Sequence, residues 1–298
     1  MSESRPLAIV ALGGDALSPP DQPHDAAAME AVIAAVADCL APMAKTHDLI
    51  VTHGNGPEVA TRAEKVPESL LDVLGAQSEG LLGYVIEEAL TKRLPGRTTL
   101  SMVTRVVVAA DDPGFAVPTK PVGSVLRGSD PAALTAEYGW PVVADRGGYR
   151  HVVPSPHPQE VIEAEEIGFL ARSGAIVVCL GGGGVPVARD EKGQLLGVDG
   201  VIDTDLSSAV LALQLRADVL LLLTDVDGVF ADWPACEALL RAPTIDDLKA
   251  LHLAVGSIVP KVAAAVGFVE AGGAMAGIGR LNEAARILAG EAGTVVRY

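Results

Sequence analysis

Short apolar runs rich in β-branched residues alternate along the chain with longer segments of helical periodicity. Several of these runs are apolar at every position, which is typical of strands buried on both faces of a parallel sheet. They predict strands over 7–12, 48–53, 99–108, 175–180 and 218–224, with a last one over the "TVV" near the end. Because strands and helices alternate, we predict an α/β fold of β-α-β units: a three-layer α/β/α sandwich around a mainly parallel central sheet.

The segments between the strands carry recognisable helix ends. They predict helices over 25–40, 77–92, 158–174, 205–216, 245–251, 260–271 and 282–289. Asp130 and Pro131 predict the N-cap and first turn of a further short helix, and Pro57 predicts another helix start after "HGNG".

One region departs from this rhythm. Prolines and glycines crowd residues 111–158, and we interpret this segment as a small protruding lid inserted into a single domain of residues 1–298. Apolar runs around a charged glycine turn within 187–198 predict a β-hairpin.

Composition, net charge and cysteine content indicate which partners and which cellular location to expect. The 298 residues are 49% hydrophobic, enough for a large core, and their formal net charge is −16. A nucleic-acid partner is not expected, since such binding needs clustered Lys and Arg. Cys39, Cys179 and Cys236 are scattered, which favours neither a disulfide framework nor a metal site. The chain shows no basic leader and no unbroken membrane-length run, so we expect a cytoplasmic protein without a membrane partner.

Three glycine clusters follow predicted strands, in "LGGDAL", "HGNGPEV" and "LGGGGVPV". Each one alone is explained by a tight turn, and none matches a Walker loop or a dinucleotide fingerprint. Together they indicate a ligand site, because ligands of open parallel sheets bind beyond the carboxyl ends of the strands, where bare backbone can approach phosphate oxygens. We therefore predict a phosphate site where the three clusters meet.

Charged residues add a second signal. Lys120 is flanked by prolines and Lys261 follows Pro260, although an isolated lysine is more often a solvated surface residue. Asp203, Thr204 and Asp205 open a predicted helix. They are candidates for capping it, for orienting lysines, or for holding a nucleotide-bound Mg²⁺.

Motifs spread over essentially the whole chain carry a resemblance to a known family. In order they read "VALGGDAL", "VTHGNGPEV", "LDVLGAQSEGLLGY", "FAVPTKPVG", "GGYRHVVPSP", "GGGGVPV", "VIDTDL", "LLTDVDGVF", "GSIVPKV" and "GEAGTVV". They resemble the carbamate kinases of the amino acid kinase family. The resemblance implies a homodimer with a lid and an enzyme that transfers a phosphoryl group reversibly between ATP and carbamate, giving carbamoyl phosphate and ADP with Mg²⁺.

The resemblance also implies roles for individual residues. Lys261, Asp205 and Lys120 would be catalytic. The transferred phosphoryl group and the carbamate would lie among Gly13, Gly14, Asp15, Gly54, Asn55, Gly181, Gly182 and Gly183. The nucleotide would be flanked by Asp203, Thr204, Asp225, Val226, Phe230, Gly256, Ser257 and Ile258.

Two residues depart from the family pattern. Asp15 stands where the family has asparagine, and a carboxylate cannot donate to a phosphate oxygen as an amide can. Thr204 stands where the family has lysine, so one cation is missing, and Arg105 and Arg146 are candidates to replace it. These departures leave two alternatives open: a kinase of another small acid or carbamate-like group, and a catalytically weak protein that binds nucleotide or carbamoyl phosphate.

Overall fold

The computed structural model describes residues 5–17, 26–55, 71–127, 130–138, 141–145, 147–232, 235–253 and 256–298. Its strands are β1 (Leu7–Leu12), β2 (Asp48–His53), β3 (Thr99–Ser101), β4 (Arg105–Val108), β5 (Lys120–Leu126), β6 (Val142–Asp145), β7 (Gly148–Val153), β8 (Pro158–Val161), β9 (Ile176–Cys179), β10 (Val185–Arg189), β11 (Leu195–Gly197), β12 (Val219–Thr224), β13 (Met275–Arg280) and β14 (Thr294–Arg297). Its helices are α1 (Gly14–Leu17), α2 (Ala26–Met43), α3 (Leu71–Arg93), α4 (Pro131–Tyr138), α5 (Ala164–Arg172), α6 (Thr204–Leu215), α7 (Ile245–Lys249), α8 (Ile258–Glu270) and α9 (Ala284–Leu288).

Seven strands form the central sheet, in the order β14-β13-β12-β1-β2-β9-β3. All neighbours run parallel except β13 and β14, which pair antiparallel. In β1, β2 and β12 every residue is buried, including the polar Asp48, Thr52 and His53 of β2, as expected for strands covered on both faces. The predicted mainly parallel sheet is confirmed.

Helices cover both faces of this sheet. Successive side chains of a strand point to opposite faces, so Ile9 packs in an apolar cluster with residues of α5, α6 and α8. Its neighbour Val10 packs in a second cluster with residues of α2, α3 and α9. The resulting three layers are the predicted α/β/α sandwich.

Two smaller sheets flank the central one. The first, of order β11-β10-β4-β8, contains the predicted hairpin as the antiparallel pair β10 and β11. The second, of order β5-β7-β6, lies entirely within residues 111–158. Among the residues described, no helix combines the length and apolar character that a membrane span needs. The helix start predicted at Pro57 lies outside the described residues.

The single strand predicted over 99–108 is wrong, because this segment forms two strands in different sheets. β3 pairs with β9 in the central sheet, whereas β4 pairs with β10 and β8. The chain changes sheets at Thr104, whose carbonyl accepts a hydrogen bond from the N–H of Val185 (2.8 Å). Periodicity cannot detect such a change, because no glycine or proline interrupts the segment between the two strands.

Two further elements differ from the prediction. The helix predicted from residue 158 begins only at Ala164, since Pro158 opens the edge strand β8, where a missing N–H is tolerated. Strand β13 was not predicted, because Gly277 and Gly279 lower its strand propensity. Both glycines are required by packing: a Cβ at either position would lie within 2.8 Å of the Ile287 side chain.

Candidate active site

The first two glycine clusters meet at the carboxyl edge of the central sheet. A Cβ on Gly54 would lie 2.7 Å from the backbone nitrogen of Gly14, so only glycine permits this approach. The N–H of Gly13 donates to Leu223 (2.9 Å), and the N–H of Gly54 donates to Leu12 (2.8 Å). Gly13 and Gly54 therefore supply space between adjacent strands, while their N–H groups bind the protein's own carbonyls.

The third cluster closes the same edge from β9. Gly182 and Gly183 have φ angles of 65° and 89°, and Leu180 before them also has a positive φ of 53°. A Cβ on Gly182 would lie 1.7 Å from Oδ1 of Asn55, so the asparagine side chain occupies the space that the glycine leaves. The three glycine clusters therefore meet at the carboxyl edge of the central sheet, as the sequence predicts.

Lys261 lies at the base of the first cluster. It is buried in the first turn of α8, with 3% of its surface exposed, and its Nζ donates to Oδ2 of Asp205 at 2.8 Å. A Cβ on Gly13 would lie 3.0 Å from this Nζ. The interpretation as a solvated surface lysine is therefore wrong for Lys261, whose charge is held beside the glycines.

Lys120 approaches from the other side, at the start of β5. Its Nζ donates to Oδ2 of Asp203 at 2.5 Å. Asp203 is also the N-cap of α6, since its Oδ1 accepts from the N–H of Asp205 at 3.0 Å. Capping and lysine orientation, posed as alternatives from the sequence, are performed by the same carboxylate.

The two aspartates differ electrostatically. Burial disfavours ionisation of Asp203, but Lys120 and Lys261 together with backbone donors outweigh it, so its pKa lies below the ordinary value. Burial raises the pKa of Asp205, and the charges of Lys261 and Lys120 only partly offset this because the charge of Asp203 raises it further. Among the described residues, Oδ1 of Asp205 has no hydrogen-bond partner, which is consistent with the higher pKa.

The segments predicted to flank the nucleotide lie beyond β12 and at the start of α8. Val226 and Ile258 both belong to the large apolar cluster on one face of the central sheet. The remaining residues of this group are placed as follows: Asp225 accepts from the hydroxyl of Thr224 at 3.2 Å, Phe230 is buried, Gly256 is exposed, and Ser257 is the exposed residue before α8.

A model described as the amino acid kinase family matches residues 6–278 of the chain. The chain belongs to the amino acid kinase family. It is 40% identical to a carbamate kinase of Rhizobium meliloti (strain 1021), over 97% of this chain and 92% of that protein. It is 39% identical to a carbamate kinase of Escherichia coli (strain K12), over 97% and 98%. The structure of a carbamate kinase from Giardia lamblia bound to citric acid superposes with a TM-score of 0.90 at 33% identity, covering 100% of this chain and 99% of that one.

The positions that depart from the amino acid kinase family pattern lie in or beside this site. Thr204 is buried as the first residue of α6, between the two lysine-bound aspartates. Asp15 belongs to α1, and its side chain lies outside what the structure describes. Arg105 donates to Glu163 at 2.8 Å, so this guanidinium already has a carboxylate partner, and Arg146 lies outside the described residues.

Two buried residues of this site were missed by the sequence analysis. Glu79 on α3 is 1% exposed, and burial raises its pKa to about 8. His53, at the end of β2, is fully buried, and burial lowers its pKa to about 4, so it is neutral at physiological pH. A signal for Glu79 exists in the sequence: it lies seven residues before Ile86, on the same buried stripe of the helix.

Proposed function

We propose that the chain catalyses reversible phosphoryl transfer between ATP and carbamate, giving carbamoyl phosphate and ADP. The names of its full-length relatives support this reaction, and one of the similar solved structures is a Giardia lamblia carbamate kinase bound to AMP-PNP. The observation that carries the proposal is the buried ammonium group of Lys261 beside Gly13. Phosphoryl transfer needs fixed positive charge around the migrating group more than it needs covalent chemistry.

The roles of the residues follow from their contacts. The glycine loops keep side chains away from the carboxyl edge, which leaves room for the γ-phosphate and the acceptor. Lys261, oriented by Asp205, neutralises negative charge that develops in transfer, and Lys120 approaches the same region from β5. Asn55, held against Gly182, offers an amide donor to an oxygen of the transferred group.

Magnesium enters as part of the nucleotide substrate. Within the described residues, no group of three or more His, Cys, Asp and Glu side chains is arranged to hold a metal ion. Mg²⁺ is ordinarily bound by one or two carboxylates together with substrate phosphates, so MgATP fits this site better than a resident ion.

We also propose that the sheet of β5, β7 and β6 is a lid that carries Lys120 to the substrates. Its base rests on the main body through a small apolar cluster that joins Val122 and Val153 to Leu71 and Leu74 of α3. The ion pair of Lys120 with Asp203 then marks the closed position, because it joins this sheet to the start of α6.

A homodimer is the assembly we propose, acting in the cytoplasm on small-molecule substrates. One face of α3 exposes Val73, Leu81 and Tyr84 at helical spacing, a stripe that a second copy would cover. The cysteines at 39, 179 and 236 are free, as in proteins of reducing compartments. Sedimentation of the wild type and of Tyr84→Glu tests the dimer, since this change should shift the mass toward the monomer.

The reaction is tested from the carbamoyl phosphate side, by coupling ATP formation from carbamoyl phosphate and ADP to a reporter enzyme. We expect clear turnover that requires Mg²⁺. If the rate is barely detectable while nucleotide binds tightly, the protein is a binding protein and the proposal fails. The buried Thr204 at the missing cation favours a second candidate, a kinase of another small acid, which turnover only with a different acceptor would establish.

A further inference from the structure

Glu79 has an unusual position for an acidic residue. Its carboxylate lies on the buried face of α3 and reaches the third glycine cluster. Oε1 accepts from the N–H of Gly181 at 2.9 Å, and Oε2 accepts from the N–H of Thr104 at 3.1 Å. Both oxygens therefore hold backbone donors that would otherwise be buried without a partner.

The contact between this helix and the glycine loop leaves no free space. A Cβ on Gly181 would lie 2.7 Å from Cα of Glu79 and 2.6 Å from Cε1 of His53. The hydroxyl of Thr104 in turn accepts from the N–H of Leu180 at 3.2 Å, next to the left-handed turn that begins the loop. The carboxylate of Glu79 therefore binds both chain segments that meet at this turn, one at Thr104 and the other at Gly181.

We propose that Glu79 is a positioning residue that holds the loop 181–183 in its reactive conformation, and that protonation of its carboxyl group releases the loop. The proposal rests on the phosphotransferase function proposed above, because the loop closes the site where the migrating group would lie. Glu79 itself acts only through Gly181 and Thr104.

The ionised and protonated forms of Glu79 differ in how many N–H groups they can bind. An ionised carboxylate accepts with both oxygens, which matches the two N–H groups, whereas a protonated carboxyl turns one oxygen into a donor facing an N–H group. Burial raises the pKa of Glu79 to about 8, although the N–H groups of Thr104 and Gly181 lower it in part. The exchange between the two states therefore falls near physiological pH.

Two buried neighbours, His53 and Cys179, keep their neutral forms in this range. His53 faces the loop from β2, and burial lowers its pKa to about 4, so it stays neutral. Cys179 lies on β9, and burial, with the charges of Glu79 and Glu163, raises its thiol pKa well above the ordinary value. Glu163, before α5, is bound by Arg105.

Glu79→Gln tests the proposal, because the amide can accept from only one of the two N–H groups and does not titrate. Glu87→Gln is the matched control: Glu87 lies on the same helix and accepts from the N–H of Ser101 at 2.9 Å, away from the loop. With the reverse reaction, we expect kcat of Glu79→Gln to fall about tenfold at roughly pH 9 and less than about twofold at roughly pH 6.5, with little change in KM. The control should follow the wild type.

Amide hydrogen exchange gives a readout that does not depend on the reaction. In the wild type, protection of the amides of Gly181 and Thr104, corrected for intrinsic rates, should decrease as pH falls through about 8, and in Glu79→Gln it should be low throughout. Equal protection in both proteins at every pH overturns the proposal, as does a wild-type to variant ratio of kcat that is independent of pH. Absence of turnover together with pH-dependent protection would instead refute the proposed reaction and leave the role of Glu79 intact.

Discussion

Asp203 and Asp205 lie on the same turn of α6, yet they hold their lysines in different environments. The Lys261–Asp205 pair is enclosed, with 4% and 7% of the two side chains exposed, whereas in the Lys120–Asp203 pair the values are 31% and 11%. The first pair joins α8 to α6 within the main body, and the second joins the three-stranded sheet to it. One cation is therefore fixed before substrate arrives, while the other lies on a separate sheet and has solvent beside it.

The difference separates two ways of supplying positive charge. A buried ammonium is preorganised, because the protein bore the cost of its desolvation on folding. A lysine that is a third exposed contributes less to folding stability, since solvent screens its ion pair. Its charge is correspondingly easier to move from Asp203 to a substrate phosphate.

The largest expected effect is on the enclosed pair. Lys261→Met should lower kcat by about 10³-fold or more, because it removes the fixed cation beside Gly13. It should also destabilise the fold by about 3–5 kcal/mol, since Asp205 is left buried without its counter-charge. Urea denaturation and the reverse assay measure the two effects.

A double variant separates the effect of Lys261→Met on activity from its effect on stability. Lys261→Met combined with Asp205→Asn removes both charges, so it should recover much of the stability and none of the activity. Lys249→Met is the matched surface control, because Lys249 forms an exposed ion pair with Glu270 and should change stability by less than about 1 kcal/mol. Recovery of activity in the double variant would contradict the role given to Lys261.

For the partly exposed Lys120–Asp203 pair, we expect a large effect on activity and a small effect on stability. Lys120→Met should lower kcat by about 10²-fold, yet change the free energy of unfolding by only about 1 kcal/mol. If Lys120→Met instead lowers both stability and kcat as much as Lys261→Met does, the two ion pairs are equivalent. The distinction between a fixed and a movable charge would then be wrong.

The pH dependence of stability sharpens the comparison further. The folded pKa of Asp203 is lowered, so this group contributes stability that is present above its unfolded pKa and lost as pH falls through the folded value. Asp203→Asn keeps the cap of α6 but lacks this contribution. The difference in melting temperature between wild type and variant should therefore be largest near neutral pH and shrink on acidification. A melting-temperature difference that grows toward low pH would show that the folded pKa of Asp203 is raised and not lowered.

The sheet and the edge that carries the candidate site could be predicted from the sequence, but the side-chain partners within the site could not. Unbroken apolar strands and glycine clusters at their ends predicted the sheet and the edge where the site lies, because both signals are local. The pairing of each lysine with a particular aspartate was not predictable, since it joins residues 83 and 56 positions apart. Glu79 was missed for a related reason. Helical periodicity places it on the buried stripe of α3, but an acidic residue on a helix is ordinarily solvated, and its partner Gly181 is 102 positions away.

The smallest expected effect concerns Thr204, the buried residue between the two aspartates, where the resemblance to carbamate kinases implies a lysine. Thr204→Lys would add a cation at the start of α6, beside two carboxylates and near the proposed phosphate site, and we expect the reverse reaction to accelerate several-fold, by about 1 kcal/mol of transition-state stabilisation. The helix dipole opposes a cation there, so stability should fall by about 0.3–1 kcal/mol. Thr204→Met, of similar length without charge, is the control. If both variants lose activity equally, the buried site cannot accept the longer side chain. If Thr204→Lys is instead no faster than the wild type while Thr204→Met stays active, the two lysines paired with Asp203 and Asp205 already supply the positive charge that the transfer uses.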